Sequence, residues 1–272
     1  MTAIAERTVP AGPGAWVQAR WAVTDTLTIT RRNLLVWMRV PAYLVFTVVQ
    51  PVIFVLMFRY VFGGAIRVVG VPGGYVNFLM PGIIAQTAAF ACFGTAIALA
   101  QELKKGVIDR LRSMPMARSA VLTGRLLADT LRMLVTILIV LAVGYAVGFR
   151  FSNGVIPAIA MVALAVLFGL AIACISAFTG LAIGDEESVQ AFGLIWIFPL
   201  TFLSSAFVQI STMPGWLQAF ANNQPVTYTV DAMRALALGG PVWDSLWKSL
   251  AWLVAIFIVF IPLSVRAYRR AS

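Results

Sequence analysis

Apolar runs separated by short polar breaks dominate this chain. Six of them have about the 20 residues that a helix needs to cross ~30 Å of hydrocarbon. They cover residues 40–62, 78–99, 127–149, 155–183, 189–210 and 246–265. The pattern predicts an all-α integral membrane fold with six transmembrane helices. Between the runs lie three polar remainders: an N-terminal arm, a charged stretch at 101–125 and a mixed segment at 211–240. None is long enough for a separate catalytic domain, so residues 15–272 are expected to form one membrane domain behind a flexible tail at 1–14. The first 39 residues are too polar for a signal peptide.

The charged stretch reads QELKKGVIDRLRSMPMARSAVLTGR. At about 100° per residue, Leu103, Val107, Leu111 and Met114 form a narrow apolar stripe, with Lys105, Asp109 and Arg112 facing away. Pro115 is expected to end that helix, because it lacks an N–H and crowds the preceding turn. The pattern predicts a short amphipathic helix across the mouth of two spans. Periodicity alone leaves two readings open: a solvated loop resting on lipid headgroups, or a docking element for a cytoplasmic partner.

In the arm, Leu27, Leu34 and Met38 recur near helical spacing beside Arg31, Arg32 and Arg39. Trp16, Trp21 and Trp37 suit a membrane interface, so an amphipathic helix on the inner leaflet is expected. The segment 211–240 carries Pro214, Asn222, Asn223, Gln224, Pro225, Asp231 and Arg234. It predicts two short helices, at 215–221 and 227–238, stopped by Gly239, Gly240 and Pro241. Backbone broken in this way cannot face lipid, so a re-entrant or interfacial hairpin at the outer face is expected.

Composition sharpens the picture. Hydrophobic residues make up 61% of the 272 positions and charged ones 11%, which points to lipid as the solvent. The net charge of +10 comes mainly from three segments: Arg7, Arg20, Arg31, Arg32 and Arg39; Lys104, Lys105, Arg110, Arg112, Arg118 and Arg125; and Arg266, Arg269 and Arg270. Six spans place all three on one side, which the positive-inside rule makes cytoplasmic, with both termini inside. The excess is therefore a topology signal rather than a nucleic-acid surface. Cys92 and Cys174 both fall within spans and read as packing residues.

No histidine is present, and no Gly-Lys pair occurs for a phosphate-binding loop, so no catalytic, metal or ATP site is expected. The glycine-rich segment 63–74 reads as an external loop. Asp129 and Arg132, three apart near the start of the third span, read as a helix-end ion pair. The middle of every span lacks a carboxylate, and no internal charged path is visible. If the chain pumps, its energy comes from a partner.

The charged stretch resembles the loop between the second and third spans of type-2 ABC exporter permeases, especially the daunorubicin/doxorubicin-resistance group. The resemblance rests on Glu102, Gly106, IDRLRSMP at 108–115, and Arg118 followed by LTGR at 122–125. More distant relatives place a second acid where this chain has Lys104. QPVIFVLMFRYVFGG at 50–64, YVNFLMPG at 75–82 and QPVTYTVDAMRAL at 224–236 extend the likeness in order along the chain. It implies a second permease subunit, identical or paralogous, and an ATP-binding cassette subunit that uses ATP and Mg. It also implies that 101–125 holds a coupling helix, acting through Glu102, Gly106, Val107, Asp109, Arg110, Leu111, Met114, Pro115 and Arg118. The second cytoplasmic loop, Asp185, Glu186 and Glu187, is a further candidate in transmitting the stroke, and the resemblance implies that the 211–240 hairpin forms an extracellular gate.

The cargo implied is hydrophobic or amphiphilic: a drug, a polyketide-like compound or a lipid. Gln50, Gln86, Trp196 and Phe198 are candidates to line its path, and helix–helix contact is the other reading of these residues. A self-contained channel or secondary carrier is the alternative function.

Overall fold

A computed structural model describes residues 15–39, 41–63, 74–108, 110 and 118–270. The tail at 1–14, the glycine-rich loop over 64–73, and Asp109, Leu111, Met114 and Pro115 lie outside the described residues. The described chain is helical, without strands. In order, α1 is Ala15–Arg39, α2 is Pro41–Met57, prolonged by a π-helical turn Phe58–Phe62, and α3 is Gly74–Lys104. Then come α4, Arg118–Val147; α5, Val155–Ile183; α6, Glu186–Phe202; α7, Gly215–Ala221; α8, Pro225–Leu238; and α9, Trp243–Arg270.

Among the described residues four helices are long and apolar enough to cross a membrane: Gly74–Lys104, Ala120–Val147, Val155–Ile183 and Trp243–Arg270. Of the remaining expected spans, 40–62 overlaps α2 and its shorter apolar stretch Val48–Val61, and 189–210 overlaps α6 only as far as Phe202.

Two helices with apolar residues all round, α3 and α5, form the centre, as that pattern requires. Ala85, Ala88, Ala89 and Ala96 of α3 are fully buried, and their small side chains let neighbours come close. Met133, Ile137 and Val140 of α4, with Phe168 and Ile172 of α5, fill the space between. At the edge, α9 exposes Val254, Ile258, Val259 and Ile261, a face suited to lipid. A second cluster gathers Ile29, Leu99, Ile108, Val121, Leu122, Leu181 and Tyr268. It joins α1 to the end of α3, the start of α4 and the ends of α5 and α9.

Helix α1 packs on α4: Thr30 Oγ1 donates to Gly124 O at 3.1 Å, and Ile29 is buried. Leu27 and Met38 of the expected stripe are exposed instead. Packing on α4 selected Ile29 and Thr30, a face that the leucine spacing did not mark.

The structure corrects two expected boundaries. The helix drawn through Leu103, Val107, Leu111 and Met114 is interrupted, because α3 ends at Lys104 and turns at Lys105–Gly106. Gly106 has φ +64°, a left-handed conformation that side chains with a Cβ resist, and its N–H bonds Leu103 O at 3.0 Å. Leu103 thus belongs to the end of α3. The helix over 189–210 stops at Phe202, where Pro199 has thinned the ladder and Ser204 Oγ turns back to Thr201 O at 2.6 Å.

Candidate functional site

Three groups of residues are candidates for the site: a junction at the end of α3, a cavity beside it, and a locked α7–α8 segment at the opposite end of the bundle. The junction begins with the turn between α5 and α6. Asp185 caps α6, its Oδ2 accepting from Ser188 N and Ser188 Oγ, each at 3.0 Å. The Ser188 backbone N–H is the main reason that the Asp185 carboxyl lies below the usual aspartate range, with the Ser188 hydroxyl and Lys104 adding to it. Gln101 Nε2 donates to Glu186 Oε1 at 2.6 Å, and Lys104 Nζ lies 3.7 Å from Asp185 Oδ1. The fold therefore brings Asp185 and Glu186 onto the end of α3 and leaves Glu187 exposed. Val107 is half-buried, Arg110 is exposed, and Ile108, which the stripe omitted, is fully buried. Arg118 opens α4.

Behind this junction runs an alternating chain of charges. Arg32 of α1 lies 3.5 Å from Glu102 of α3, and Arg125 of α4 lies 3.4 Å from the same carboxylate. Arg125 also reaches Asp129 at 3.3 Å, and Arg132 reaches Asp129 at 3.0 Å. Thr95 Oγ1 donates to Asp129 Oδ2 at 2.6 Å, and Arg132 Nη2 donates to Ala91 O at 2.9 Å. Asp129 is 5% exposed. Since α4 begins at Arg118, the Asp129–Arg132 pair is not at a helix end but belongs to a network of five charged side chains. Arg32, Arg125 and Asp129 went unrecognised as parts of one network. The signal was the i, i+4, i+7 spacing of Arg125, Asp129 and Arg132, which stacks them on one face of α4.

The chain borders a cavity of about 490 Å³ between α1, α2, α3 and α4. Gln50, Phe54, Gln86 and Phe90 line one part, and Glu102, Lys105 and Val107 line another. Of the path candidates, Gln50 and Gln86 line it, whereas Trp196 and Phe198 do not. Phe198 instead meets Phe90 edge-on at 5.3 Å and begins an aromatic ladder. That ladder runs from Phe198 to Phe202 at 5.4 Å, to Phe207 at 5.0 Å and to Phe58 at 4.9 Å. Phe54, 6.0 Å from Phe58, returns it to the cavity.

At the far end of the ladder, α8 is locked under the broken end of α6. Arg234 Nη1 bonds Asp231 Oδ1 at 2.6 Å, Nη2 donates to Ser205 O at 2.8 Å, and Nε donates to Phe78 O at 3.2 Å. Its guanidinium also sits 3.9 Å from the Phe78 ring centroid. Ser205 Oγ donates to Asp231 Oδ1 at 2.7 Å, and the Gln224 amide donates to Leu203 O. The carbonyls freed by the helix break thus find side-chain partners. Gly82 of α3 allows the close approach: a Cβ there would lie 2.1 Å from Ala206 O. The two short helices expected over 215–221 and 227–238 are present as α7 and α8, but unequally placed. Val230, Ala232 and Met233 of α8 are fully buried, whereas Trp216 of α7 is 76% exposed.

Residues 24–238 match the family described as ABC-2 type transporter. The chain is 33% identical over 251 residues to the daunorubicin resistance ABC transporter permease protein DrrB1 of Streptomyces coeruleorubidus, covering 92% of this chain and 88% of that protein. It is 34% identical over 261 residues to a probable doxorubicin resistance ABC transporter permease protein, DrrC, of Mycobacterium tuberculosis, covering 96% and 94% respectively. A putative transport permease, ycf38, of Cyanophora paradoxa is 23% identical over 219 residues, covering 79% and 74%.

Proposed function

The chain belongs to the ABC-2 type transporter family, and from that premise we propose that it is the membrane-spanning permease subunit of an exporter for hydrophobic or amphiphilic cargo. It works as one of a permease pair, with a second copy or a paralogue, and separate ATP-binding subunits hold the ATP and Mg. This chain has no ATPase site of its own. Six helices cross the plasma membrane, with both termini inside; α1 lies at the inner leaflet, and α7–α8 forms the outer re-entrant hairpin.

The observation that carries the coupling is the junction at the end of α3. The bonds from Gln101 to Glu186 and from Lys104 to Asp185 tie two loops that a motor could grip together. Glu102, at the same end, passes any displacement to Arg32 of α1 and Arg125 of α4. Such a cross-braced end transmits a push as a rigid-body motion of helices rather than dissipating it in a loose loop. The rest of the coupling surface is Gly106, Val107, Asp109, Arg110, Leu111, Met114, Pro115 and Arg118.

The test is to replace Leu111 with Asp, verify membrane insertion, and co-purify the ATP-binding subunit. An unpaired charge in a dry contact weakens docking by about two orders of magnitude. Retained complex with full transport would remove this helix as the joint. The wild-type chain purified alone is expected to hydrolyse no ATP.

A further inference from the structure

The cavity beside the charge chain has an electrostatic sign. Its lining holds four cations, Arg32, Lys105, Arg125 and Arg132, against two carboxylates, Glu102 and Asp129. Both carboxylates are already engaged. Asp129 accepts from Thr95 and pairs with Arg125 and Arg132, while Glu102 lies between Arg32 and Arg125. The lining instead has donors to spare. Arg132 Nε and Trp37 Nε1 are both buried without a hydrogen-bond partner, and both residues border the cavity. Buried donors are normally satisfied, so two orphans at one cavity ask for an acceptor from outside the chain. Elsewhere the walls are aromatic, with Phe54 and Phe90.

We propose that this cavity binds an amphiphile with an anionic oxygen head, a phosphate or a carboxylate. The head accepts from Arg132 and Trp37, and the apolar tail lies along Phe54 and Phe90. A guanidinium suits such a head because it presents several donors in one plane. The inference deepens the exporter reading by naming a cargo class and rests on it only for the claim that the occupant is carried outward. Binding itself needs no motor.

The test uses the full chain in a neutral maltoside detergent, titrated by calorimetry with dodecyl phosphate, dodecyltrimethylammonium and inorganic phosphate. Dodecyl phosphate is expected to bind at least about tenfold tighter than either of the others, by the worth of one charge-assisted bond or more. Trp37→Phe keeps an aromatic ring without the N–H and leaves the ion chain intact, and it should weaken dodecyl phosphate about tenfold. Arg132→Lys keeps a charge for Asp129, loses the Nε–H and should weaken it similarly. Equal or tighter binding of the ammonium would overturn the proposal, as would inorganic phosphate matching dodecyl phosphate, or an unchanged Trp37→Phe.

Nanodiscs separate the two sources of such a head. Loss of dodecyl phosphate binding on adding phosphatidylglycerol to phosphatidylcholine discs would assign the site to a membrane lipid, and equal binding in both would assign it to a free acidic amphiphile. Either result supports the anionic head. ATP-driven export with the motor subunit is measured separately, so binding without export would sink the exporter reading and leave this site standing.

Discussion

Charges enter the apolar interior in two places, and they are treated differently. Near one end, Arg234 directs its nitrogens to Asp231, Ser205 O and Phe78 O and is held in a single pose. Near the other, Arg132 uses one nitrogen on Asp129 and Ala91 O and leaves Nε unpaired next to a cavity. Both are arginines three residues after an aspartate on a helix. What differs is the neighbourhood. Arg234 lies under a broken helix whose freed carbonyls need donors, so its fork is consumed by the fold. Arg132 lies where neighbouring helices separate, so part of its fork stays available. The first arrangement is architectural, and the second has capacity to bind.

The comparison breaks most readily at Arg234. Replacing it with Leu strands Asp231 and leaves two carbonyls without their donor, a loss of about 3–5 kcal/mol. The expected result is a sharply lower melting temperature in detergent, or failure to accumulate in the membrane. Asp129→Asn keeps the bond from Thr95 but leaves Arg125 and Arg132 short of a countercharge. A smaller loss, about 2–3 kcal/mol, is expected by the same melt. If the Asp129 variant proved the worse of the two, the architectural and binding ends would have been assigned the wrong way round.

Gly82→Ala sharpens the architectural end. A methyl 2.1 Å from Ala206 O must push the break loop off α3, at about 1–3 kcal/mol. Limited proteolysis after Phe202 should speed up, while dodecyl phosphate binding at the cavity should be unchanged.

The smallest effect is expected at Asp185. Its folded carboxyl titrates below the ordinary aspartate value of 3.8, so the Ser188 cap contributes stability above that pH and loses it as pH falls through the lower folded value. Asp185→Ala should lower the melting temperature slightly at pH 7, and the difference from wild type should vanish in strong acid.

Much of this was legible from the chain. The α3 and α5 spans announce themselves because a helix apolar on all sides can rest only among other helices or in lipid. The α7–α8 segment was visible because Pro214, Pro225 and the Gly239–Gly240 pair punctuate at helix ends, and local backbone rules suffice there. The Asp231–Arg234 pair was readable from its spacing. Its bonds to Phe78 O and Ser205 O were not, since a carbonyl 156 residues away leaves no local mark.

The end of α3 shows the same division. Pro115, the expected helix stop because it cannot donate, lies outside the described residues; within them the chain breaks at Gly106, where it turns left-handed. Ile108 escaped the apolar stripe because its burial depends on Ile29, Leu122 and Leu181, which arrive from three other helices.

Hydrophobic length, charge asymmetry and the ordered motifs determined a basic, membrane-embedded, all-helical permease from the sequence alone, because those properties act through solvent and neighbouring residues. Only the tertiary structure decided which charges are spent and which remain free. Arg32, Glu102, Arg125, Asp129 and Arg132 come from three helices, and their alternation, with the cavity beside them, exists only once α1 has packed on α4 and α4 on α3. Desolvation then makes pairing obligatory for the acids and leaves Arg132 Nε and Trp37 Nε1 as buried, unpaired donors on residues that border the cavity.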